Sequence, residues 1–323
     1  MFDENHPDGK PQPVRAEPIA LAASMTAEEA LREIGRSCLA HCLRNEKAAL
    51  AGQVEGVHQM RIALRRLRSA LSAFKKMLPP ADRRAIRAEL GALGAVLGRA
   101  RNLDVFADEL VAPCRAELSG EADFDALTQA LERHRQEAYH EIEKALVSPP
   151  HEAAMARLER WFEERLWRRP ELTAALTAPL GEAAVRLLDR RRRDVKERGR
   201  GFRHLSPRQR HKLRIAVKNL RYTLELLAGL YAKEDLAAFE KRLKRLQDDL
   251  GYANDVRVGR LLIAEFAADG AAASGAAAAA GELVLAWHER RLEGREERLR
   301  EHLRQLNKAE PLWRKPPPKQ DAT

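Results

Sequence analysis

Cysteine is scarce in this chain of 323 residues. Cys38, Cys42 and Cys114 are too few and too unevenly placed for a disulfide framework, so a reducing compartment is expected. Aromatic residues make up 5% of the chain; Tyr222 and Trp313 are candidates for stacking on bases, but so thin a scatter is weak support for a nucleic-acid surface. No apolar run approaches the length of a membrane span. The opening Met1-Phe-Asp-Glu-Asn-His lacks the basic and apolar regions of a signal peptide, and a cytoplasmic protein without membrane contact is expected. No stretch alternates apolar and polar residues with β-branched enrichment, which argues against strands. Gly-rich phosphate loops and nucleophile motifs are missing too, so nothing points to an enzyme.

Charge is what the chain has in quantity. A third of the residues are charged, with a net charge of +10 and a pI near 9.7. That balance favours nucleic acid, an anionic membrane surface or another polyanion as partner. The charge is also organised, because one basic stretch is written twice. His58-Gln-Met-Arg-Ile-Ala-Leu-Arg-Arg-Leu-Arg-Ser-Ala-Leu71 recurs as His211-Lys-Leu-Arg-Ile-Ala-Val-Lys-Asn-Leu-Arg-Tyr-Thr-Leu224, with seven of fourteen positions identical. An internal repeat governs architecture and is read first.

The spacing makes each copy a helix. Val57, Met60, Leu64, Leu67, Leu71, Phe74 and Leu78 recur at alternating threes and fours, as do Leu213, Val217, Leu220, Leu224, Leu227 and Tyr231. One residue later runs a basic stripe: His58, Arg61, Arg65, Arg68 and Lys75 in the first copy, His211, Arg214, Lys218 and Arg221 in the second. Like charges at helical-neighbour spacing cost about 0.2–0.5 kcal/mol per pair. Neither Gly56–Ala81 nor Arg203–Leu224 contains an acidic residue to offset that. One such run reads as a solvated face; two matching runs, both purged of acid, imply an anionic ligand.

Helices are expected over about 26–51, 56–78, 82–97, 103–118, 124–147 and 152–167, then 182–198, 207–231, 233–250, 255–268 and 282–306. Gly98 and Gly251 are read as C-terminal stops, and Ser119-Gly120 as a turn. Ala271–Ala280 reads as low complexity, a loop or a frayed helix. A second echo, Leu97-Gly-Arg-Ala-Arg-Asn-Leu-Asp104 against Leu250-Gly-Tyr-Ala-Asn-Asp255, follows each basic helix at the same distance. The fold class is therefore all-α, as two pseudo-two-fold-related four-helix bundles from an internal duplication. The halves span about 26–168 and 180–308, between disordered tails at 1–25 and 309–323. Asp104 and Asp255 are expected to cap new helices or to orient arginines.

Metal chemistry finds little support. Glu55-x-x-His58 and Glu137-x-x-His140 have di-iron spacing, but Arg61 and Arg65 beside His58 would repel a cation, and His211 has Arg208 where a glutamate is required. Cys38, His41 and Cys42 lack a fourth ligand for zinc. No metal or other cofactor is expected.

The double motif, with Leu-Gly-x-x-Arg-x-x-Asp between its copies, resembles the CHAD (conserved histidine α-helical domain) family over about residues 26–308. The resemblance implies two helical bundles with a basic surface or cavity between them, binding of inorganic polyphosphate, and association with polyphosphate granules. Carried over by position, the anion contacts would be His58, Arg61, Arg65 and Arg68 with His211, Arg214, Lys218 and Arg221, and Arg66 and Arg101 match further basic positions. Asn219 departs from the pattern, standing where the family has a basic residue. Some members carry an N-terminal triphosphate-tunnel domain; residues 1–25 have no room for one, so a chain without that catalytic domain is expected. The leading expectation is a non-catalytic polyphosphate-binding module. A sequence-tolerant nucleic-acid binder comes second and a phosphate-metabolising enzyme third.

Overall fold

Where a helix begins is set by what satisfies its first N–H groups. Glu29 N donates to Thr26 Oγ1 at 3.2 Å while Thr26 N donates to Glu29 Oε2 at 2.8 Å, the reciprocal box their spacing predicts. Ser206 and Gln209 close a second box ahead of Pro207. In a computed structural model describing residues 11–118, 120–268 and 274–315, the regular structure is helical. The elements are α1 (Ala27–Arg44), α2 (Glu46–Leu50), α3 (Val54–Ala73), α4 (Pro80–Val105), α5 (Ala112–Glu117), α6 (Phe124–Leu146) and α7 (Pro149–Glu163). There follow α8 (Thr173–Leu176), α9 (Leu180–Arg198), α10 (Pro207–Leu226), α11 (Lys233–Ala268), α12 (Ser274–Glu293) and α13 (Arg295–Lys308). Among the described residues there is no strand, only an isolated bridge between Thr26 and Pro179. The all-α class is as expected.

Both apolar stripes are buried, from Val57 to Leu78 in the first copy and from Leu213 to Leu227 in the second, with Tyr231 half-buried. At about 1.5–3 kcal/mol for each fully buried large aliphatic or aromatic side chain, these stripes fix which face of α3 and α10 turns inward. α3 packs between α1 and α4, and α4 against α6; α10 packs between α9 and α11, and α11 against α12 and α13. The halves meet where α3 touches α10, α4 touches α11 and α6 touches α12.

Two expected stops are not stops. α4 and α11 run straight through Gly98 and Gly251. A C-terminal glycine stop needs the left-handed backbone, which Gly52 (φ 71°) and Gly201 (φ 64°) adopt and these two do not. Asp104 consequently caps nothing and lies inside a helix, as does Asp255. The real irregularity comes later, where Phe106–Val111 widens into a π-helix before Pro113. Proline has no N–H to return to the carbonyl four residues back and its ring crowds that carbonyl, so the ladder shifts there. His288 Nε2 donates to Leu110 O of this turn at 2.9 Å, and Tyr252 Oη lies 2.6 Å from His288 Nδ1. α12 already runs at Ser274 and breaks at Gly294, dividing what reads as a single last helix.

Parts of the expected tails are built into the fold. Buried Asn45 exchanges hydrogen bonds with Val14 N and O at 2.9 Å each, and His41 Nε2 lies 3.0 Å from Val14 O. Gln53 Nε2 donates to Pro11 O at 2.7 Å, Leu180 N donates to Met25 O at 2.7 Å, and Leu21 is buried. Residues 11–25 are therefore a strap without regular structure rather than a disordered tail, because they satisfy polar groups that would otherwise be buried unpaired. At the other end Trp313 is 2% exposed, stacked edge-on against Phe239 and donating from Nε1 to Asp189 Oδ1 at 2.9 Å. That burial removes it as a stacking platform for bases. The expected tail residues 1–10 and 316–323, Ser119 of the expected turn and the start of the low-complexity run lie outside the described residues.

Candidate anion-binding site

The basic stripes ride on α3 and α10, which touch where the halves meet, so their charges converge at the crossing. A cleft of about 510 Å³ there is lined by Arg61, Arg65 and Arg68 from α3, Arg214 and Lys218 from α10, and Arg87 from α4. Among the described residues none of these cations has a carboxylate within 4.0 Å. The Nε of Arg65 and of Arg214 is buried without any acceptor. A buried Nε without an acceptor is not peculiar to the cleft, since Arg32, Arg44 and Arg83 share it. What marks the cleft is that several cations converge there with no carboxylate within 4.0 Å among the described residues, whereas Arg135 Nη2 elsewhere meets buried Asp104 at 3.0 Å.

Small residues on α4 make the gathering possible. A Cβ on Gly98 would lie 2.6 Å from Arg61 Nη1, and one on Gly94 3.6 Å from Arg68 Nη1. Both guanidiniums thus lie across α4 where it has no side chains. Buried Tyr222 provides the floor, with Arg65 Cζ 4.3 Å from its ring centroid. That cation–π contact holds Arg65 while leaving its hydrogen-bond donors unused.

Crowding shows in the proton affinities. Burial, then Arg214 and Arg65, lowers Lys218 to about 8, with Asp255 opposing. Burial, then Arg65 and Arg101, lowers Arg61 to about 10. Burial, then Arg101, lowers the half-buried His58. Burial and then Arg214 lower the exposed His211. All four shifts favour loss of positive charge, and a bound anion would reverse them. Asp255 is pushed up by burial although Arg214, Lys218 and Arg101 pull it down. It is the carboxylate on α11 whose charge reaches these cations, and it accepts a hydrogen bond from Asn254 Nδ2 at 3.3 Å.

Five expected contacts fall outside the cleft lining: His58 and His211, which open the stripes, and Arg66, Arg221 and Arg101. Arg66 is 3% exposed and lies 3.7 Å from Glu225 Oε1, so it is a buried structural cation bridging α3 and α10 rather than part of the cleft. Arg221 lines a separate groove of about 620 Å³ on the other side of the crossing, with Glu225, Glu240 and Lys241. Arg101 stands at the margin, 3.9 Å from Glu109 Oε1. Asn219, at the position of Arg66 in the repeat, lines the cleft itself. Arg87 belongs to neither repeated stripe, and the motifs do not mark it. Its spacing to Gly94 and Gly98, one face of one helix, is the signal that finds it.

Cys38, Cys42 and Cys114 are free and buried, and burial pushes the Cys38 thiol up to about 12, which leaves it inert. His41 of that group is committed to Val14 O and to Gln59 Oε1 at 3.1 Å.

Residues 33–264 match the family profile described as the CHAD domain. No curated protein matches the chain. Among solved structures, the crystal structure of the CHAD domain from the plant Ricinus communis superposes with a TM-score of 0.77 at 29% identity, covering 91% of this chain and 96% of that one. PptA from Streptomyces chartreusis superposes with a TM-score of 0.59 at 18% identity, covering 87% of this chain and all of its own, a likeness of fold alone.

Proposed function

The chain belongs to the CHAD domain family, and from that premise we propose that it binds inorganic polyphosphate in the α3–α10 cleft, without catalysis, and so places itself on polyphosphate granules. The observation that carries this reading is a cleft whose cations come from both halves, lack carboxylate partners and include two buried N–H groups without acceptors. Guanidinium forks pair two phosphate oxygens at once and keep their charge, which suits a linear polyanion gripped from two sides. Polyphosphate binding is the association the family carries; the placement on granules and the assignment of these basic faces are ours. On the same reading the halves are copies of one unit, and α3–α4 should superpose on α10–α11.

Competition tests the reading. Labelled polyphosphate bound to the purified protein should resist displacement by DNA or RNA at equal phosphate concentration, and ready displacement would make the protein a sequence-tolerant nucleic-acid binder. Incubation with polyphosphate and a divalent metal should release no phosphate; steady release would make it an enzyme. A fluorescent fusion should form foci only in cells that hold polyphosphate.

A further inference from the structure

Positive charge does not end at the cleft. α9 crosses the C-terminal end of α3, where Arg190 Nη2 donates to Ala73 O at 2.8 Å and Arg191 Nη2 donates to Ser72 Oγ at 2.9 Å. Ser72 also lines the cleft, so Arg191 adjoins it directly. Burial, then Arg190, lowers Arg191 to about 10, with Arg87 adding to the effect and Asp194 opposing it. Lys75, exposed at the end of the ridge, is lowered by burial and then by Arg190, Arg191 and Arg83.

A helix C-terminus welcomes cations, and that alone accounts for Arg190 on the Ala73 carbonyl. It does not account for the rest. Arg191 is 9% exposed and its Nε is buried without an acceptor. Among the described residues none of Arg87, Arg190, Arg191 and Lys75 has a carboxylate within 4.0 Å. Asp194, the acid whose charge reaches Arg191, accepts a 2.7 Å bond from Arg198 Nε. Each of these guanidiniums has five N–H donors and uses few of them. The next arginine of the run, Arg192, turns away to the carbonyls of Asn307 and Ala309.

We propose that this ridge is a second segment of the anion site: a linear polyphosphate leaving the cleft past Ser72 continues over Arg191 and Arg190 to Lys75, so that the protein discriminates by chain length. The proposal rests on the polyphosphate reading of the cleft. From Arg61 to Lys75 the path follows α3 for roughly 20 Å at about 1.5 Å per residue. A short anion is held in the cleft, where cations of both halves converge; only a long one spans both segments.

Titration of the full-length protein with tripolyphosphate and with long-chain polyphosphate, each at two salt concentrations, tests this. Lys75→Ala combined with Arg190→Ala should weaken long-chain binding about tenfold and make it less salt-dependent, while tripolyphosphate affinity stays within about twofold. Lys75→Glu, which keeps both bonds from α9 to α3, should reproduce the effect in a protein of unchanged melting temperature. Long-chain binding that both variants leave unchanged overturns the second segment, and so does an equal loss for both anions. If the unaltered protein binds neither anion, the cleft reading itself fails.

Discussion

The two sides of the α3–α10 crossing correspond in the repeat and differ in their acids rather than in their cations. On one side Ser72 follows Arg68 and Arg87 faces them from α4, in a cleft without a paired carboxylate. On the other, Glu225 takes the place of Ser72 after Arg221, and Glu240 takes the place of Arg87. Glu225 serves buried Arg66, and Glu240 is raised by burial and by Glu225. The second groove keeps Arg15, Arg65, Arg221, Lys241 and Lys244 but sets two carboxylates among them, whereas the cleft draws cations from both stripes and, among the described residues, is lined by no carboxylate.

Moving that difference across the crossing should give the largest effect. Ser72→Glu with Arg87→Glu brings the acidic pattern into the cleft and should cost polyphosphate binding on the order of 3 kcal/mol, about a hundredfold in titration. Next is Gly98→Ala. A methyl group there displaces the Arg61 guanidinium, so affinity should fall about tenfold while melting temperature holds or rises, alanine being the better helix former by about 1 kcal/mol. Equivalent positions should then separate. Arg68→Ala should weaken binding by about 1 kcal/mol, and Arg221→Ala, whose groove already holds two carboxylates, by less than half of that.

The smallest effect is in pH. With Lys218 titrating at about 8 in the unliganded fold, binding above that pH must take up a proton, so affinity should decline two- to fivefold as pH rises through about 8. Lys218→Arg should flatten that step. The sign for folding is opposite. Because the folded value lies below the ordinary 10.5, burying the cation costs stability in full below about pH 8, and the cost fades as pH rises towards 10.5. A thermal melt of the unliganded protein across that range reads this directly.

Much of this architecture was legible in the chain. Spacing of the apolar residues located α3 and α10 and the face each buries, and the repeat brought Arg61, Arg65, Arg68, Arg214 and Lys218 to one place. What the chain concealed has physical causes. Gly98 reads locally as a stop, and only the approach of Arg61 shows that it is a gap in a continuous helix. Arg66 is indistinguishable from its basic neighbours until Glu225, far along the chain, is seen beside it. The segment 11–25 lacks periodicity because it is not helical: it gives backbone groups to Asn45 and His41 and single side chains such as Leu21 to the core.

Whether both halves grip one anion is decided most directly by the salt dependence of polyphosphate binding in two double variants, Arg61→Ala with Arg65→Ala and Arg214→Ala with Lys218→Ala. Each should lower the slope of log affinity against log salt by about one unit for every phosphate left without its cation, with melting temperature held or raised as like-charge repulsion is relieved. Wild-type slope and affinity in either variant would contradict the account and place the anion elsewhere on the protein.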